Sequence, residues 1–93
     1  MVTHIVLFKF ESEAIAQQAV TRLMSMKGKV ASLKDIEAGV DFTRSPRSYD
    51  VALVTRHESR ADLEAYRIDP VHKAVAEYIG QHTTGAAAVD FEV

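Results

Sequence analysis

The chain has 93 residues, a hydrophobic fraction of 47% and a net charge of −2 from 11 basic and 13 acidic side chains. That is the length of one domain, spanning residues 1–93, and its apolar content rules out a chain disordered by composition. It has no cysteine, which excludes a disulfide or thiolate metal site, and it lacks the basic surplus that nucleic-acid binding requires.

Val2 to Phe10 reads as a strand, β-branched and aromatic, with Val2, His4, Val6, Phe8 and Phe10 on one face and Thr3, Ile5, Leu7 and Lys9 on the other. Being apolar on both faces, it is expected at the centre of a sheet. It is too short to cross a bilayer, and no targeting segment is expected, so a cytoplasmic protein without membrane partners is predicted. Ser12 and Glu13 start a helix whose stripe is Ile15, Ala19, Leu23 with Ala16, Val20, Met24, and Gly28 is its expected stop.

Asp35 to Phe42 alternates, with Ile36, Ala38, Val40 and Phe42 facing in, and reads as an edge strand with a bulge or close approach at Gly39. Thr43 to Ser48 is a polar loop. Tyr49 to His57 is a second doubly apolar strand, with Ala52 and Val54 opposite Tyr49, Val51 and Leu53. Ser59 to Asp62 is a capping box opening a short helix that contains Leu63 and Tyr66. Asp69-Pro70 breaks that helix and restarts it, since proline disfavours helical geometry before it but suits a first helical turn. Val71, Val75, Tyr78 and Ile79 form the next apolar side, Gly80 is the expected end, and Ala86 to Val93 is the last strand.

The order strand, helix, strand, strand, broken helix, strand predicts an α+β fold. It forms a four-stranded antiparallel sheet with helices on one face and the two doubly apolar strands in the middle. The bare face would carry Ile5, Leu7, Ala52, Val54, Ala86 and Ala88, a patch that a second copy packed sheet to sheet would bury. A homodimer through the sheet face is therefore the expected partner. RNA recognition through the same βαββαβ order is excluded, because the exposed face lacks stacking aromatics.

The segments His4 to Phe10, Gly39-Val40-Asp41, Ser48-Tyr49-Asp50, Leu63 to Tyr66, Asp69-Pro70-Val71-His72 and Val89-Asp90-Phe91-Glu92 together resemble the stress-responsive A/B barrel family over nearly the whole chain. The resemblance implies a ferredoxin-like fold and a homodimer whose sheets form a dimeric α/β barrel. Members include stress-induced plant proteins and a plant polyketide cyclase that works without metal or cofactor. Carried over residue by residue, it makes Tyr66 and His72 the candidate catalytic pair and His4 a pocket residue. A second strand histidine of the cyclase falls at Val51, and the first histidine of the family's His-Pro-x-His falls at Asp69, so two positions depart from the pattern.

The residues themselves allow two readings. His72, in the first turn of a helix, is held neutral by the helix dipole and could act as a base. Tyr66, just before the kink, could donate to a carbonyl and steady an enolate. Equally, His72 could bond locally near the helix start and Tyr66 be core. His4 either lines a cavity or is a satisfied core histidine, while His57 and His82, near element ends, are expected at the surface.

The functional expectation is a small-molecule pocket among Phe8, Val51, Leu63, Val75, Tyr78 and Ile79, doing cofactor-free acid/base work on a carbonyl ligand. Its volume would be on the order of several hundred Å³. The alternatives are a non-catalytic stress-related homodimer with no such cavity, and a cofactor-free monooxygenase. The spacing of the four histidines gives no metal motif.

Overall fold

The computed structural model describes all residues, 1–93. Strand β1 (Val2–Phe10) is followed by helix α1 (Glu13–Met24), strands β2 (Asp35–Val40) and β3 (Val51–His57), helices α2 (Arg60–Ile68) and α3 (Pro70–His82), and strand β4 (Thr83–Glu92). The strands form one antiparallel sheet in the order β2-β3-β1-β4, so the two doubly apolar strands are central. This is the ferredoxin-like α+β fold, with three helices on one face.

Local chemistry sets the helix starts. The Ser12 hydroxyl accepts from the Ile15 N–H at 3.2 Å, and the Ser59 hydroxyl from the Asp62 N–H at 3.1 Å. Asp69 accepts from the Val71 N–H at 2.8 Å, with Pro70 in the first turn of α3. Helix α1 buries Ala16, Ala19 and Leu23 and stops at Met24, earlier than Gly28; the glycine instead supplies a left-handed turn (φ 78°) four residues on. Helix α3 runs through Gly80 to His82 and passes directly into β4, where the Thr83 N–H closes on the Ile79 carbonyl.

The core lies between the helices and the inner sheet face, with Val51, Leu53 and Ile36 from the sheet meeting Leu23, Leu63, Tyr66, Val75 and Ile79 from the helices. Directly opposed residues of an antiparallel pair share a face. Ile5 opposes Val89 and Leu7 opposes Ala87. The outer face therefore carries Ala87, Val89 and Phe91 beside Ile5, Leu7, Ala52 and Val54, and the expected Ala86 and Ala88 lie on the helix side instead. This outer patch is greasier than expected, with Val89 54% and Phe91 44% exposed.

Two further expectations are corrected. Strand β2 ends at Val40 and Phe42 is 94% exposed, because the chain has already turned into the loop that ties back through Asp41 and Asp50. The β2–β3 register runs through Gly39 without a shift, and a Cβ there would meet nothing within 4 Å, so neither bulge nor close approach explains it. The one register shift falls between Lys9 and Phe10, opposite the start of β4.

Candidate functional site

Between the inner sheet face and the helices lies a cavity of about 180 Å³, smaller than the several hundred Å³ expected. Strand β1 contributes His4, Val6 and Phe8 to its wall, and β3 contributes Leu53. Helix α1 adds Leu23, α2 adds Tyr66, and α3 adds His72, Val75, Ala76, Ile79 and Gly80, with Thr83 following. The strand alternation aims His4, Val6 and Phe8 inward together, and the break at Asp69-Pro70 folds the start of α3 back against the end of α2. As a result the Tyr66 and His72 rings lie 4.2 Å apart between centroids, and the His4 ring stands edge-on to Tyr66 at 6.2 Å.

The polar atoms of this wall are unevenly satisfied. His72 Nδ1 donates to the Arg67 carbonyl at 3.1 Å. A carbonyl can only accept, so the neutral ring carries its proton on Nδ1 and a free lone pair on Nε2. His4 Nδ1 likewise faces the Asp90 carboxylate, whose second oxygen accepts from Arg67 Nη2 at 3.0 Å. Tyr66 differs. The residue is 1% exposed, yet its hydroxyl is buried with no hydrogen-bond partner. Such an orphan costs stability and is rare in a native interior.

The electrostatics follow from burial. Loss of solvent pushes the Tyr66 phenol up to about 12, keeping it a donor. Burial is also the chief reason His72 lies below its usual value; the charges of His4 and Arg67 add to the lowering, while the Arg67 carbonyl and Asp69 oppose it. His72 is therefore an unprotonated base near neutral pH, beside a protonated donor.

The sequence-nominated residues divide into two groups. His4, Phe8, Tyr66, His72, Val75 and Ile79 meet at one cavity. Val51, Leu63 and Tyr78 stand outside its wall. Val51 and Leu63 are buried elsewhere in the core. Tyr78 packs on α1, with its hydroxyl donating to Gln18 Oε1 at 3.3 Å and the Arg22 guanidinium 4.1 Å above its ring.

His57, expected at the surface, is fully buried. Its Nδ1 donates to the Ser32 carbonyl at 2.8 Å and its Nε2 accepts from the Thr55 hydroxyl at 3.0 Å, so both nitrogens are occupied, and its ring centroid lies 4.9 Å from that of Tyr66. The connector after α1 supplies that carbonyl, which strand periodicity does not reveal. Asp90 and Arg67 were not singled out from the sequence either. The signal available was Asp90's place on the inner face of β4, legible only once the register is known.

Comparison with known proteins gives a consistent result. A family model described as the stress responsive A/B barrel domain matches residues 2–93. A dimeric ferredoxin-like protein of unknown function from Thermobifida fusca superposes with a TM-score of 0.87 at 25% identity, covering 99% of this chain and 90% of the other. A dimeric protein of unknown function and ferredoxin-like fold from Bacteroides fragilis gives 0.85 at 22% identity, covering 99% and 95%. Hydroxynitrile lyase from Passiflora edulis gives 0.85 at 15% identity, covering 99% and 92%, a likeness of fold. A comparison with curated proteins returned no match. No helix is long and apolar enough to cross a membrane.

Proposed function

The chain belongs to the stress-responsive A/B barrel family, and from that premise we propose that its cavity binds a small carbonyl compound and moves a proton beside the carbonyl by cofactor-free acid/base chemistry. The observation that carries this reading is Tyr66, a residue of the cavity wall beside His72, whose hydroxyl is buried without a hydrogen-bond partner. A carbonyl oxygen accepting from that hydroxyl satisfies the orphan donor. The same bond strengthens as the oxygen gains negative charge, which is the condition for stabilising an enolate.

His72 Nε2 is the base. Its lone pair is free because Nδ1–H is engaged by the Arg67 carbonyl. It takes a proton from the carbon next to the carbonyl, the electron pair moves onto the oxygen held by Tyr66, and return of the proton from His72 to that carbon ends the step. His4, fixed by Asp90, lines the opposite side and orients the ligand. The use of the same fold as a hydroxynitrile lyase in Passiflora edulis supports an enzymatic role for the scaffold.

The test is exchange of the methyl protons of acetophenone for deuterium in D₂O, followed by NMR. The protein should accelerate it. His72→Ala should remove about 100-fold or more of the acceleration, the usual worth of a positioned base. Tyr66→Phe should remove about 100-fold or more, in keeping with loss of one oxyanion donor. Acceleration that survives His72→Ala unchanged would refute the assignment.

The assembly belongs to the same proposal. We infer a homodimer packed through the outer sheet face, where Ile5, Leu7, Ala52, Val54, Ala87, Val89 and Phe91 adjoin. The dimeric state of the Thermobifida fusca and Bacteroides fragilis proteins supports it.

A further inference from the structure

We propose that the ligand of this cavity is an uncharged carbonyl compound no larger than one substituted ring, seated with its oxygen on Tyr66 and admitted across Ala86 and Ala88 of β4. This rests on the functional reading above and narrows it to a substrate class. Size, charge and access carry it separately.

The cavity measures about 180 Å³. A protein cavity of about 150 Å³ accommodates benzene, so one six-membered ring with a short substituent fills this one and a fused second ring does not.

The wall contains no lysine or arginine. Arg67 adjoins it, but its guanidinium is already engaged, with Nη2 3.0 Å from Asp90 Oδ2 and Nε 3.5 Å from Glu64 Oε1. Asp90 in turn holds His4. A carboxylate or phosphate entering here would leave water for a cavity without a free cation and with a carboxylate behind one wall. A buried charge without a partner is disfavoured far more than a neutral oxygen that gains a hydrogen bond. Of the open groups on wall residues, His72 Nε2 is an acceptor and the Tyr66 hydroxyl is the donor, and that donor requires an acceptor and no charge.

Access follows from the uneven cover of the sheet. The helices pack chiefly on β1, β2 and β3; α2 reaches β4 at Asp90 and Glu92 through Arg67 and Arg60, and Ala86 and Ala88 stay uncovered. Ala86 lies opposite Phe8 and Ala88 opposite Val6, both wall residues, and the two alanines are exposed although they share the inner face. Their single methyl groups leave the route over β4 open, where larger side chains would close it.

The test titrates acetophenone, benzoate and 2-acetonaphthone into isotope-labelled protein while the methyl resonances of Val75, Ala76 and Ile79 are followed. Acetophenone should shift them saturably, and benzoate and 2-acetonaphthone should not. Tyr66→Phe should weaken acetophenone about tenfold, the worth of one buried hydrogen bond. Ala88→Phe, with Ala86→Leu as the milder second variant, should abolish or slow its entry while leaving the amide spectrum folded.

Benzoate or 2-acetonaphthone binding as tightly as acetophenone would overturn the ligand class. It would leave the acid/base reading to stand or fall by the exchange experiment. Acetophenone binding that neither Tyr66→Phe nor the alanine variants disturb would overturn the seating and the route. No response of the wall to any probe would overturn this proposal and the pocket beneath it.

Discussion

Each of the four histidines directs its Nδ1 at a fixed acceptor: a backbone carbonyl for His57, His72 and His82, a carboxylate for His4. The tautomers are thereby set by neighbours, and what differs is the fate of Nε2. In His57 it is consumed by Thr55, which makes that residue a structural tie, whereas in His72 only Nδ1 is engaged. Burial places both His57 and His72 below the ordinary value of 6.5. As pH falls through 6.5 the unfolded chain therefore takes up protons that the folded one still refuses, and stability declines until the depressed folded values are passed. The urea midpoint should be lower at pH 5.5 than at pH 7.5, and His57→Asn should flatten that difference. A midpoint equal at both pH values would mean that neither ring is held neutral by the fold. Tyr66, His72 and His4 were singled out through the family resemblance; the proline break and the strand alternation are local rules that bring them inward, but by themselves they also allowed a core reading. Asp90 was not, since its bond to His4 spans 86 positions and exists only through the β1–β4 register.

At the level of elements, Asp69 carries two duties: it ends α2, its N–H closing on the Tyr66 carbonyl, and it caps α3. Because Tyr66 and His72 sit on either side of it, the cap also sets their spacing. Asp69→Ala should cost about 1 kcal/mol in denaturant unfolding, the usual value of an N-cap. It should lower acetophenone exchange beyond what the residual folded population explains; full activity in a destabilised variant would show that the cap acts on stability alone. The caps at Ser12, Ser59 and Asp69 could be read from sequence because they depend on residues within one turn. Strand limits could not. Phe42 continues the alternation of β2 yet leaves the sheet, and Thr83 enters it before the apolar run begins, because ladder partners on another strand decide where pairing stops. The facing of β4 failed for the same reason, since a ten-residue strand with alanines on both sides gives the period no purchase.

For the molecule as a whole, the inner and outer faces of the sheet serve different ends, one holding the cavity and the other presenting Ile5, Leu7, Val89 and Phe91. Ile5→Asp places a charge in the middle of that outer patch without touching the cavity wall. It should convert the dimer to a monomer in sedimentation velocity at micromolar protein, since an unpaired carboxylate in a dry interface outweighs the apolar contacts around it. A dimer unaffected by Ile5→Asp would place the interface elsewhere. The strand order puts β4 at an edge, hydrogen-bonded along one side and touched by α2 through the Asp90 and Glu92 ion pairs, while it bears the carboxylate that orients His4. It is thus the seam along which the protomer can fray. Any breathing of that seam loosens the imidazole and unseals the cavity in the same movement, so clamping β4 from outside would tighten the chemistry within.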